Sequence, residues 1–472
     1  MQRTLRMAAV SGAVLMLAGC ASISIDQAVE STNQAVPAFT GGKLELSRTD
    51  QQRQARERLA AELLAKPLSM DDAVQLALAN SPAMQALIAQ SWSDIAAAGQ
   101  VGRIANPIFA FERIRAGDEL EIGRLLSFGL MDLITLPQRQ VISRSQVAQA
   151  RTQLSINVVD QVSQIRQAWV RAVASRQLLG YSDQVFRSAE ASAELARRLQ
   201  QVGNFTKLQR ARQQAFYADA AAQKASAAHA ATAAREELVR QLGLTSDQAR
   251  ELKLPERLPE LPAQPRSPAD VSAVALQQRL DVQLAKQQLE VAGRSQGLNL
   301  LNSLLDVEAG VRRDTVWDNA SGERHTARGY ELEIRLPLFD WGGAQRASLN
   351  AQSLLAANRY DAVVRSASSQ LRESYSAYRT AYDVARHYRE EVVPLRQTIS
   401  EENVLRYNGM LIGVFELLAD SRDQVATVMS AINAQQQFWL ADAGLSSSVI
   451  GKPVAIGTTP VSTSTSSAEG GH

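Results

Sequence analysis

The chain has 472 residues, 45% of them apolar and 21% charged, with a formal charge of +2, one cysteine and four histidines. A single cysteine excludes a disulfide framework and a thiolate metal site. Nor does so small a charge supply the concentrated basic face of a nucleic-acid binder.

Residues 1–19 carry a short basic stretch (Arg3, Arg6), an apolar run from Met7 to Leu17, and then Leu17-Ala18-Gly19-Cys20. This reads as a secretory signal, too short to count as a membrane-spanning helix. Its ending resembles a bacterial lipobox, which implies that Cys20 is lipidated on sulfur and becomes the N-terminus. An ordinary signal peptide with an incidental cysteine is the competing reading. Ala21, not Asp, follows Cys20, which by resemblance to bacterial lipoproteins implies the outer membrane. Without Arg3 and Arg6 the formal charge is zero. Beyond the signal no apolar run approaches the ~20 residues of a spanning helix. Any membrane crossing must therefore use a β-barrel.

Residues 20–66 are polar and weakly patterned and predict an extended segment. From residue 67 to 254 a first unit follows. Ser69 caps a helix with Asp71 and Asp72 in its first turn, and Pro82 bends or divides it. A weak hairpin occupies 106–131, turning at Ala116-Gly117-Asp118. No proline then occurs in the 117 residues from Gln138 to Leu254. Leu154, Val158, Val162, Ile165, Trp169 and Val173 mark one helical stripe. A helix over 138–200 would be ~95 Å long. A tip at 201–206 and an Ala-rich return helix over 207–244 complete the unit, with Gly243 as C-cap.

Five prolines in the fifteen residues 254–268 make a stiff connector of 255–268. The second unit, 269–445, repeats the first. Its helix opens at Asp270, and its hairpin spans 305–338. There Val307, Ala309 and Val311, and later Tyr330, Leu332 and Ile334, alternate with polar or small residues. That is period two, apolar on one face. It suits a barrel wall, or an amphipathic hairpin lying on a soluble core. A long helix over 343–407, kinked by Pro394, a tip at 408–415 and a return helix over 416–445 follow. The tail 446–472 is rich in Ser, Thr and Gly and is expected to be disordered.

The duplication is explicit in the residues. Gly203, Phe205, Leu208, Arg212 and Gln214 recur as Gly413, Phe415, Leu418, Arg422 and Gln424, an offset of 210. Upstream, Tyr181, Val185 and Glu194 recur as Tyr388, Val392 and Glu401, an offset of 207. The shift predicts a second turn about three residues longer than the first.

The order of lipobox, helix, hairpin, very long helix, tip and return helix, given twice, resembles the TolC family of outer-membrane efflux proteins over residues 68–445. The resemblance rests on Leu336-Pro337-Leu338-Phe339-Asp340-Trp341-Gly342-Gly343, on the Leu242-Gly243-Leu244 helix end, and on Tyr407 through Arg422. It implies a mainly α fold with a small β part. Duplicated long helical hairpins of three protomers would form a trimeric periplasmic α-barrel. Two β-hairpins per protomer would join one shared 12-stranded transmembrane β-barrel. It also implies a homotrimer in outer-membrane lipid, a periplasmic adaptor and an inner-membrane pump as partners, and a passive exit channel.

In that family the tips close the tube and meet the adaptor, which assigns contact to Gly203, Asn204, Phe205, Gly409, Leu411, Ile412, Gly413, Val414 and Phe415. Packing of these apolar residues within the tip is the alternative. Carboxylates on the second return helix line the family's constriction, so Glu416 stands at the first gate position. The second position is Ala419, with Asp420 one residue, ~100°, further round the helix. Met410 stands where the family has glycine. A solvated surface carboxylate is the plain reading of Glu416. His229, His325 and His387 are scattered, and no catalytic, phosphate-binding or metal motif is present. The expectation is a non-enzyme with no cofactor beyond the lipid on Cys20. A structural coiled-coil lipoprotein without a pore is the competing class, and it has no use for the second hairpin.

Overall fold

Proline and glycine punctuate the helices much as the sequence requires. The computed structural model describes residues 24–268, 279–302, 306–318, 320–335 and 342–451. Cys20 and the signal segment, the helix start at Asp270, the stretch 336–341 of the family motif and the end of the tail lie outside the described residues.

The described part of 20–66 is largely helical, correcting the expected extended segment. It contains α1 (Ile25–Ala35), α2 (Pro37–Thr40) and α3 (Asp50–Leu64). Ile25, Ala28, Val29 and Thr32 recur at helical spacing and are buried, and Thr32 Oγ1 lies 3.0 Å from Ser155 Oγ. The stripe is short but periodic, and tertiary burial fixes it. Thr49 and Gln52 form a capping box at the head of α3.

Pro82 does divide the next helix, into α4 (Met70–Asn80), capped by Ser69, and α5 (Pro82–Gln100). Strands β1 (Ile108–Ala116) and β2 (Glu119–Gly129) follow, then α6 (Leu130–Gln201), α7 (Lys207–Leu242) and the short α8 (Ser246–Glu251). Helix α6 starts eight residues before the expected 138 and runs through Pro137. The first turns are held from outside: Arg139 pairs with Asp132 at 2.5 Å and donates to Val101 O at 3.0 Å. These contacts offset the backbone bond that proline removes.

Gly243 caps α7 with φ +66°, and its carbonyl accepts from Asn80 Nδ2. A Cβ there would lie 2.5 Å from Pro82 Cδ and 2.8 Å from Ser81 Cα, so only glycine fits this junction.

The second half comprises α9 (Leu280–Asn302), β3 (Asp306–Asp318), β4 (Arg324–Arg335), α10 (Gly343–His387), a π-helical turn (Tyr388–Val392), α11 (Val393–Asn408) and α12 (Val414–Ile450). Pro394 is the second residue after the π turn. The wider turn relieves the clash that its ring would make with the carbonyl four residues back. Helix α12 continues past 445 because Ser447 and Ser448 are buried and their hydroxyls bond back to Gly444 O, both at 2.9 Å. The expected boundary at 446 is therefore too early.

Two compact units divide the described chain. One takes the residues up to Ala35, Gln85–Ser155 and Asp281–Val364; the other takes Val36–Met84, Ile156–Leu280 and Arg365 onward. The first holds one antiparallel sheet in the order β1-β2-β3-β4. Its register sets Phe109 beside Leu126, Leu126 beside Val311, and Val311 beside Tyr330. The weaker first hairpin thus joins the stronger one in a single sheet.

In the second unit Tyr378, Tyr382, Phe438 and Leu445 are buried around Leu261 of the connector. Trp439 Nε1 and Gln435 Nε2 donate to Pro259 O, and Tyr382 Oη donates to Pro262 O and Ala263 O. Proline removes donors but leaves carbonyls, and the helices use them. Among the described residues no helix is long and apolar enough to cross a membrane.

Candidate functional site

The two helical turns lie in the second unit, and the helix ends dictate their geometry. After α6, Asn204 N–H bonds Leu199 O at 2.9 Å and Gly203 N–H bonds Gln200 O at 3.0 Å. Gly203 has φ +80°. This is a Schellman turn with glycine at its left-handed position. Thr206 and Gln209 then form the capping box of α7. After α11, Leu411 N–H bonds Arg406 O at 2.8 Å and Met410 N–H bonds Tyr407 O at 2.9 Å. The same turn is built, but its left-handed residue is Met410, with φ +59°.

Gly413, the sequence repeat of Gly203, instead caps the head of α12 with φ −85°. The two glycines have different tasks. Both links have five residues, 202–206 and 409–413. The second turn is therefore not longer, as the offset had predicted. Instead the second return helix starts earlier: Val414, Phe415 and Glu416, the repeats of Asn204, Phe205 and Thr206, are helical and form the first turn of α12. No proline or glycine among them interrupts the helix, so it begins three residues before its repeat counterpart.

The assigned contact residues split between two environments. Phe205 and Phe415 stack on each other, with ring centroids 4.7 Å apart and planes 24° from parallel. Ile412 is buried, and Val414 is half-buried. Gly203, Asn204, Gly409 and Gly413 are exposed. Leu411 is 73% exposed and Met410 93%, and Val202 and Leu208 on the first turn are exposed as well. Part of the apolar set thus packs within the tip, and a smaller part faces outward.

The two acidic residues separate in the same way. Glu416 is exposed in the first turn of α12, where the helix dipole favours a negative charge. Asp420 is buried, 3.7 Å from Arg396 of α11, and Arg396 also holds Asp423 at 2.7 Å. Asp420 thus lies in the seam between α11 and α12, whereas Glu416, one turn nearer the helix start, is exposed. Arg396, which sequence reasoning passed over, ties the two helices below the turn. Nothing in its sequence context distinguishes it from other helical arginines.

Further along, Arg422 lies 4.2 Å over the Phe216 ring, and Lys224 of α7 bonds Asp183 of α6 at 2.6 Å. That hydrogen bond, against slight desolvation and with help from Arg187, holds the Asp183 carboxyl below the usual carboxylate range. Among the described residues no group of three His, Cys, Asp or Glu could hold a metal ion.

No family model and no curated relative matches the sequence. Solved structures do match the fold. A membrane protein from Pseudomonas aeruginosa is 18% identical with a TM-score of 0.64, covering 84% of this chain and 93% of that one. The CmeC outer membrane channel of Campylobacter jejuni is 13% identical with a TM-score of 0.67, covering 86% and 89%. The outer membrane protein VceC of Vibrio cholerae is 15% identical with a TM-score of 0.63, covering 84% and 96%. Other structural neighbours are likewise outer-membrane channel proteins. With 84–86% of this chain and 89–96% of those chains covered, this chain has the fold of TolC-type outer-membrane channels.

Proposed function

We propose that this chain is a lipid-anchored, trimeric exit channel of the outer membrane, working passively in a tripartite efflux system. The observation that carries the reading is the sheet. One face gathers Phe109, Leu126, Phe128, Val311, Tyr330 and Leu332, all exposed. The other gathers carboxylates, among them Glu112, Glu121, Asp314 and Glu331. Such a sheet separates lipid from water. Four strands cannot close around a pore, and β1 and β4 keep unpaired edges, so copies must share the barrel. Three copies would give twelve strands. The likeness to outer-membrane channels supports the same arrangement.

In this reading Cys20 carries the lipid, and the turns at Gly203–Phe205 and Gly409–Phe415 engage a periplasmic adaptor, with the inner-membrane pump supplying the energy. Met410 and Leu411 are the apolar groups exposed for that contact. Glu416, repeated by symmetry, would ring the narrow end and attract cations. The test is the mass of the detergent-purified protein together with its conductance in a planar bilayer. A trimeric mass and stable channels are expected. A monomer without conductance would overturn the proposal in favour of a pore-less rod. Replacing Glu416 with Ala should change single-channel conductance or its block by cations; unchanged values would remove the gate role.

A further inference from the structure

The apolar face of the sheet changes character halfway along its strands. Nearest the helices its cross-strand rows are apolar: Val307–Ile334, Phe128–Ala309–Leu332 and Phe109–Leu126–Val311–Tyr330. The next row is Phe111–Arg124–Arg313–Arg328, about 7 Å further along the strands. Beyond it lie Arg113–Ile122–Thr315–Thr326 and Arg115–Leu120–Trp317–Arg324. The hairpin half of this face therefore carries six arginines, and its rows contain no Asp or Glu.

Arg124, Arg313 and Arg328 are direct neighbours across three strands, a destabilising arrangement of like charges unless an anion joins them. Among the described residues none of the six has a carboxylate in ion-pair distance, and Arg324 lies over the Trp317 ring at 5.3 Å. The opposite face differs: Arg312 is held by Asp314 at 2.8 Å and faces Glu112 and Glu331, both at 3.7 Å. Barrel closure brings no help. A neighbouring copy would add the same rows, again without an acid. An anion that joins them would therefore come from outside the protein.

We propose that this arginine-bearing half binds the phosphate groups of anionic membrane lipids, with the acyl chains lying on the apolar rows beside it. The inference rests on the barrel reading above, which turns this face toward lipid. Guanidinium forks suit phosphate oxygens. Tyr330 borders the arginine rows and Trp317 lies in the outermost of them, as aromatic residues do at a membrane interface. The boundary between hydrocarbon and headgroups then falls between the Tyr330 row and the Arg328 row. The six arginines act as a lateral anchor for anionic lipid.

The test is thermal unfolding of the full detergent-purified chain in micelles doped with phosphatidic acid, with phosphatidylcholine, or supplied with inorganic phosphate alone. Saturable stabilisation by phosphatidic acid is expected, with little from the other two. The R124Q/R313Q/R328Q variant should bind phosphatidic acid more than about tenfold more weakly, because three charge-assisted contacts are lost. The R124K/R313K/R328K variant should retain part of the effect. Circular dichroism and detergent mass report whether each variant is folded; if the Gln variant is not, comparison of wild type with the Lys variant decides. The proposal is overturned if phosphatidylcholine or inorganic phosphate stabilises as well as phosphatidic acid does. Undiminished binding by a folded Gln variant overturns it too, as does equal binding by wild type and the Lys variant where the Gln variant does not fold. Conductance of the wild type in phosphatidylcholine bilayers tests the channel reading separately, so failure of one claim is distinguishable from failure of the other.

Discussion

At the scale of single residues, Met410 shows what the repeat concealed. It is the only non-glycine residue with positive φ among the described residues, and the equivalent place in the first turn is taken by Gly203. A left-handed conformation costs an ordinary residue about 1–2 kcal/mol. Glycine relieves that strain but gives back about 0.5–1 kcal/mol through its freer unfolded chain. Met410→Gly should therefore stabilise the turn by about 0.5–1 kcal/mol. Local hydrogen exchange is the fitting probe, because a turn opens without global unfolding. The amides of Gly409, Met410 and Leu411 should exchange about two- to fivefold more slowly in the variant, following from that gain at RT of about 0.6 kcal/mol. Unchanged or faster exchange would mean that the methionine is not strained. Sequence alignment paired Gly203 with Gly413 because glycine looks the same in every role. Only the backbone angles reveal that one ends a helix and the other begins one.

At the scale of elements, the connector is fastened more firmly than its proline content foretells. Arg266 pairs with Asp442 of α12 at 2.9 Å, donates its amide to Tyr378 Oη and reaches Ser446. Burial pushes the Asp442 carboxyl above the ordinary carboxylate range, while Arg266 and Arg166 pull it back. The folded chain then holds a proton that the unfolded chain has released. Between the ordinary value and the raised one the fold binds more protons, so stability falls as pH rises through that window. Asp442→Asn should flatten that fall, seen as the variant's thermal midpoint rising relative to that of wild type from about pH 4 upward. An identical pH profile in the variant would show that Asp442 does not titrate with folding. The connector itself was legible in the sequence, since proline spacing forbids helix. Its partners were not, because Trp439 and Gln435 come from a helix some 180 residues away. Helix α1 was legible in principle through Ile25, Ala28, Val29 and Thr32, yet eleven residues of mixed polarity give a weak period. Tertiary contact, not propensity, makes it a helix.

At the scale of the whole molecule, the membrane assignment stands on the sheet. The second hairpin was legible because Tyr330, Leu332 and Ile334 alternate with glutamates and arginine. The first was legible only as a weak hairpin over 106–131, because Ile108 and Ile114 sit on the charged face while Arg113 and Arg115 share the face of Phe109 and Phe111. Pairing of β2 with β3 removes the ambiguity by aligning Leu126 with Val311. A charge placed within the apolar rows should then oppose insertion. Leu332 lies between Ile334 and Tyr330 on its strand and opposite Ala309. An arginine on the lipid face of a barrel costs about 2–4 kcal/mol at the bilayer midplane. Leu332→Arg should therefore lower the frequency of channel insertion into planar bilayers by at least about tenfold. Its neighbour Glu331 points to the opposite face, so Glu331→Gln should insert normally and alter ion preference instead. The two substitutions lie one residue apart on one strand, and only a sheet with lipid on one side and water on the other would separate their effects. Equal insertion by both variants would leave the sheet without a lipid face, and the pore-less rod would become the better account of this chain.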